Sequence, residues 1–136
     1  MTNTQTKEAM QTLTIQIKKE IPVGIIKDVI GDALGGPALV YWASAYDIIH
    51  SGDADILDFT SPGWQLLIVD NEENYLDEST NPINPYVIKR DDIIRGLGLL
   101  GARFPDVISR ILDESYDAYD ADLLIQFSIF SDNIYG

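Results

Sequence analysis

The sequence has no cysteine, a single histidine, and long stretches without any positive charge. Lack of cysteine removes disulfide frameworks, thiolate nucleophiles and zinc-thiolate sites from consideration. The one histidine, His50, sits in a polar run beside Ser51 and Asp53. No G-x-S-x-G turn accompanies that serine, so a Ser/His/Asp triad is not indicated and His50 reads as a surface residue. No apolar run approaches the roughly 18 residues that a membrane span needs. Residues 1–11 are polar and lack the apolar core of a secretory signal. These absences lead to the expectation of a cytoplasmic protein with no cofactor and no dedicated metal site.

Lysine and arginine are missing between Lys27 and Lys89 and again after Arg110. Among the acids in the first gap are Asp47, Asp53, Asp55, Asp58, Asp70, Glu72, Glu73, Asp77 and Glu78. The second holds Asp113, Glu114, Asp117, Asp120, Asp122 and Asp132. With 22 acids against 9 bases, the 136-residue chain carries a formal net charge of −13. Such segregation attracts basic surfaces and repels nucleic acid and anionic membranes. The expected partner is therefore a basic protein surface, with no direct nucleic-acid or membrane contact, and a small homo-oligomer is compatible. Asp53, Asp55, Asp58, Asp70, Glu72, Glu73, Asp77 and Glu78 are the candidate partner-binding residues. A hydrophobic content of 46%, with seven tyrosines, four phenylalanines and two tryptophans, argues against a disordered acidic tail. One domain is expected over 12–136, after a flexible leader at 1–11.

Along the chain, Leu13, Ile15 and Ile17 alternate with polar residues and predict a half-buried strand. Pro22 suits a helix start, and Val23, Ile26, Ile30, Ala33 and Leu34 recur at helical spacing up to Gly35-Gly36. Residues 38–49 are rich in β-formers and predict a second strand. A third, 64–69, and a short fourth, 86–88, follow acidic loops with Asn81-Pro82 and Asn84-Pro85 turn signals. Ile93, Leu97, Leu100 and Phe104 then mark a helix, Pro105 restarts the chain into another, and Leu123, Phe127, Phe130 and Ile134 predict a last apolar stripe with Asp122 on the polar side. The order β-α-β-β-(β)-α-α-α predicts an α+β fold, a small antiparallel sheet of 3–4 strands packed against helices.

Gly96, Gly98 and Gly101 spell G-x-G-x-x-G, but the helical period from Ile93 to Phe104 places them mid-helix. A dinucleotide site needs its first glycine in the turn after a strand. Close approach of this helix to the sheet is the better account. The acidic spacings, such as Asp53-x-Asp55-x-x-Asp58, lack the glycine turn and closing glutamate of a calcium loop. Tyr41-Trp42 follows Gly35-Gly36-Pro37, and adjacent strand residues point to opposite faces. One ring joins the core and the other is left as a platform, which makes Tyr41 and Trp42, with Arg95 nearby, a candidate ligand pocket. Duplex DNA carries one charge per roughly 1.7 Å of axis. Asp113, Asp117 and Asp120 on one helix would stand about 5–6 Å apart, a sparser row that raises DNA mimicry as an expectation.

Gly35-Gly36 before Tyr41-Trp42, Arg95-Gly96-Leu97 before Phe104-Pro105-Asp106, and the closing run from Ala121 through Gln126 to Phe130 and Tyr135-Gly136 resemble small acidic accessory proteins of bacteriophages and mobile elements. Ser131 departs from that pattern, where a glycine is expected. The resemblance implies a phage accessory protein that blocks a host enzyme or defence complex, and it carries no catalytic residues over. Sequence alone therefore points to a non-enzymatic acidic protein that engages a basic host surface. The alternative is a small-ligand binding or sequestering protein using the Tyr41/Trp42 pocket.

Overall fold

The computed structural model describes residues 11–15, 18–52, 55–71 and 85–135. Helix α1 spans Val23–Gly35 and buries Ile26, Val29, Ile30 and Ala33, a stripe at i, i+3, i+4 and i+7. Gly36 follows in extended conformation, buried so tightly that a Cβ there would stand 2.9 Å from the Asp32 carbonyl oxygen. Pro37 then opens a single helical turn, α2 (Pro37–Val40), which buries Ala38 and Leu39. The sequence pattern predicts strand from residue 38. Proline at the first helical position instead fixes one turn, and the strand β1 begins only at Ala43 and ends at Ile49.

β2 (Gln65–Asp70) and β3 (Tyr86–Ile88) complete an antiparallel sheet of order β1-β2-β3 among the described residues. Ala43 pairs with Asp70 and Ile49 with Gln65, with a bulge between Ala45 and Asp47, while Leu66 pairs with Ile88. The inner face presents Leu66, Ile68 and Ile88 to the core. Three helices follow: α3 (Arg90–Arg103), α4 (Pro105–Leu112) and α5 (Ala118–Phe130). The small antiparallel sheet packed against several helices is the α+β arrangement that the element order predicts.

Of the strand expected over Leu13, Ile15 and Ile17, the described residues show none. Residues 11–15 and 18–22 have no regular structure, and Leu13 and Ile15 are 91% and 73% exposed. Ile17 lies outside the described residues. Alternation marks which face a strand would bury but supplies no hydrogen-bonding neighbour.

α5 is the hub. It packs against α3, α1, α2 and β3, so it is enclosed on nearly every side. Ala121, Leu124, Ile125, Phe127 and Ser128 are all buried, and the expected single stripe does not describe it. Phe127 is central, Leu123 and Phe130 are only partly buried, and Ile134 lies exposed beyond the helix end. A helix surrounded by neighbours has no solvent side to define a stripe. Two paired caps set its start: the Asp120 N–H donates to Asp117 Oδ1 at 2.9 Å, and the Asp117 N–H donates to Asp120 Oδ2 at 3.2 Å. It ends at Ser131, whose φ of 59° is the left-handed conformation that favours the glycine missing from this position.

The three glycines of the G-x-G-x-x-G string lie within α3, and the close approach is made by Gly96 alone, to α5 and not to the sheet. A Cβ on Gly96 would stand 2.7 Å from the Ser128 hydroxyl oxygen and 2.9 Å from its backbone nitrogen. Gly101 faces Ile108 of α4 at 3.4 Å, while Gly98 has open space around it. These surroundings separate two substitutions of identical chemistry in one helix. Gly98→Ala should raise stability by up to about 1 kcal/mol through helix propensity. Gly96→Ala should lower it by about 1–3 kcal/mol, because α3 must move off α5. Urea unfolding of the two variants checks the sign of each.

Candidate functional site

A cleft of about 390 Å³ opens where α2, the start of β1, α5 and the C-terminal segment meet. Its walls carry Tyr41, Trp42, Tyr119 and Tyr135, and Asp122 and Gln126 of α5 line it from within. Pro37, Ala38, Leu123 and Asn133 complete the lining, which among the described residues contains no lysine, arginine or histidine.

Trp42 follows the α2 turn and is buried, whereas Tyr41 is 81% exposed. The split between core ring and free ring thus arises in a turn and not on a strand. The Trp42 indole stacks on Tyr135, with centroids 4.6 Å apart and planes 8° from parallel, and Phe130 packs on it at 5.7 Å. Tyr119, in the first turn of α5, is 70% exposed. Two rings are therefore fixed inside the cleft, and two stand largely in solvent.

Asp122 is 4% exposed, not on a polar face of α5 as its sequence position suggests. Its Oδ1 accepts from the Trp42 indole Nε1 at 2.9 Å, and its Oδ2 accepts from Gln126 Nε2 at 2.7 Å. Burial pushes its pKa above the ordinary aspartate value, against the lowering effect of these two bonds. The five ion pairs among the described residues all lie elsewhere. Asp122 is thus a buried carboxylate satisfied by neutral donors and without a cationic partner among the described residues.

Gln126 is fully buried and uses its amide on both sides. Nε2 also donates to the Tyr135 carbonyl at 2.8 Å, while Oε1 accepts from the Ile134 and Tyr135 N–H groups, each at 2.8 Å. One side chain thereby holds the C-terminal segment across α5. The Tyr135 hydroxyl donates onward to Asp70. Sequence reasoning did not single out Gln126. Its signal was an i, i+4 polar pair with Asp122 inside an otherwise apolar helix.

Other sequence-predicted residues lie apart from this cleft. Arg95 is on α3, where it donates to Asp92 Oδ1 at 2.8 Å and to the Ser128 carbonyl at 2.7 Å, so it belongs to helix packing and not to the pocket. Asp70 is buried, with Tyr135 donating to it, and is withdrawn from any partner surface. Asp55 pairs with Lys27 at 2.6 Å, and that hydrogen bond holds its carboxyl below the usual range. Asp58 accepts from the Thr60 N–H at 3.1 Å. Asp53, Glu72, Glu73, Asp77 and Glu78 lie outside the described residues. The row of Asp113, Asp117 and Asp120 does not share one helix. Asp113 ends α4, Asp117 caps α5, and Asp120 is buried against Arg110 at 2.7 and 2.9 Å. His50 is exposed, and the Ser51 hydroxyl donates to the Pro62 carbonyl at 3.4 Å.

Among the described residues no helix is long and apolar enough to cross a membrane. No protein-family model, curated protein or solved structure matches the chain, so the chemistry of the cleft is read from its own residues.

Two outcomes follow from the polar contacts. Arg110 donates to Asp120 and holds it below the ordinary aspartate value of 3.8. The stability this pair contributes is fully present above that value and is lost as pH falls below it, through the depressed folded-state pKa. Arg110→Ala should flatten this acid limb of the stability-pH curve, and should cost about 1–3 kcal/mol at neutral pH by leaving Asp120 under-satisfied. Gln126→Leu, similar in volume but without its four bonds, should cost at least about 2 kcal/mol and release Tyr135. Near-ultraviolet circular dichroism, which reports the Trp42–Tyr135 stack, should weaken in that variant while the far-ultraviolet spectrum persists.

Proposed function

We propose that this chain is a binding protein, not an enzyme, that engages a basic surface of a partner protein with the Trp42–Asp122 cleft as its recognition centre. The observation that carries this reading is the lining itself: four aromatic rings, one buried carboxylate and no basic side chain. Aromatic faces attract cations, and a carboxylate among them adds directional hydrogen bonding. The net charge of −13 steers a basic partner toward the chain before contact. On this reading the chain is a phage accessory protein, and its partner is a host nucleic-acid-binding or defence factor. Charge matching supports that partner; Asp113, Asp117 and Asp120 lend no support to DNA mimicry, since they do not share one helix and Asp120 is paired with Arg110.

The volume of the cleft also supports a second reading, a small-ligand binder, since about 390 Å³ falls within the usual range for ligand pockets. The two readings separate by salt. A protein captured from host lysate, then purified and titrated, should associate more slowly as salt rises, because the Debye length shrinks from about 10 Å at 0.1 M to about 3 Å at 1 M. Asp55→Asn with Asp58→Asn should slow association, and Tyr41→Ala should speed dissociation. Binding that is indifferent to salt and to all three substitutions would contradict the proposal. A small molecule that raises the melting temperature while no protein is retained would favour the second reading.

A further inference from the structure

We propose that the cleft is a guanidinium site: it takes an arginine side chain of the partner, with Asp122 as bidentate acceptor and the Tyr41 and Tyr119 rings as stacking walls. This rests on the basic-partner reading above and names the group that it recognises.

The acceptor count supports a fork and not a point charge. A carboxylate offers about four acceptor positions over its two oxygens. Trp42 occupies one on Oδ1 and Gln126 one on Oδ2, so among the described residues each oxygen keeps one. A guanidinium presents two parallel N–H groups at the spacing of two carboxylate oxygens. The fixed donors also orient the carboxylate, because the Gln126 amide is held by three further bonds to the C-terminal segment. The acceptor pair is therefore built before a ligand arrives.

Desolvation points the same way. An ammonium is compact and strongly hydrated, so moving it beside a carboxylate that is 4% exposed strips water that aromatic walls replace poorly. A guanidinium is planar, more weakly hydrated and stacks on aromatic faces. Tyr41 and Tyr119, largely in solvent at this cleft, offer such faces without breaking any contact in the core. The donor set does not suit a divalent cation, since calcium takes 6–8 oxygens and Asp122 is the only carboxylate among the described residues of the lining. Anions find no basic group there.

The test uses acetyl-Gly-Arg-Gly amide, its lysine counterpart and its citrulline counterpart, titrated into the full chain and followed by amide and indole NMR. The arginine peptide should shift the Trp42 indole resonance and leave that of Trp64, whose Nε1 donates to the Ile56 carbonyl, in place. It should bind about tenfold or more tightly than the lysine peptide, and citrulline, which keeps the planar shape without the charge, should bind more weakly than both. Asp122→Asn should weaken arginine binding by about tenfold or more. Tyr119→Ala, at an exposed position where folding is not at stake, should weaken it several-fold. Equal binding of the lysine peptide overturns the guanidinium assignment and leaves the basic-partner reading standing. Binding of neither peptide in the millimolar range, with a salt-sensitive protein partner still retained, overturns the guanidinium site and the cleft as recognition centre, and leaves a basic partner standing. Loss of both the peptides and the salt-sensitive partner takes down the two together.

Discussion

Asp122 ties together three stretches of chain that no secondary structure joins. From the middle of α5 it reaches the Trp42 indole at the α2–β1 turn and, through Gln126, the segment that ends in Tyr135. Burying a carboxylate is costly, and neutral donors offset that cost only in part. Its position brings gains elsewhere: Trp42 is oriented so that Tyr135 stacks on it, and Tyr135 in turn reaches Asp70 at the end of β2. The cleft is a consequence of this arrangement. Its inner walls are rings held by the carboxylate, and its outer walls are rings that the same turn and helix leave in solvent.

That arrangement changes how the net charge is understood. Several of the acids are internal parts of the fold. Asp120 neutralises Arg110 and caps α5, Asp92 reaches back to the Lys89 N–H at the start of α3, and Asp132 pairs with Arg103 at 2.8 Å. Arg103 also lies over the rings of Phe104 and Phe127, so this pair closes one end of the helical layer. Within the cleft the balance is different, since Asp122 has neighbours that satisfy its hydrogen bonds and, among the described residues, none that cancels its charge. Local imbalance at one carboxylate is a more specific feature than a total of −13.

Much of the architecture was legible from periodicity. α1, α3 and α4 show apolar residues at helical spacing beside proline and glycine punctuation, and β2 and β3 sit between turn signals. The missing strand over Leu13, Ile15 and Ile17 shows the limit of that signal, since alternation cannot name a pairing partner. α5 is hard to read for the opposite reason: a helix enclosed by neighbours erases the contrast between faces, and an acid such as Asp122 is expected in solvent because acids usually are. Tyr41 and Trp42 were legible as a pair with different fates, while the elements around them were not. Arg95 has the chemistry for the pocket, but tertiary packing sets it in the α3–α5 contact, where it donates to Asp92 and to the Ser128 carbonyl. Gln126 could not be singled out without the C-terminal segment that it holds.

The cleft depends on a charged Asp122 in contact with Trp42 and, among the described residues, unbalanced by a cation. Proton-nitrogen NMR across acidic and neutral pH tests this directly, because the chain has two tryptophans and only one of them touches the carboxylate. The Trp42 indole resonance should titrate with a midpoint above the ordinary aspartate value of 3.8, in the direction that burial imposes. The Trp64 indole should not follow that titration, and the Trp42 response should vanish in Asp122→Asn. A Trp42 resonance that stays flat in the wild type, or that titrates at or below the ordinary value, would contradict the buried, uncompensated carboxylate on which the cleft depends.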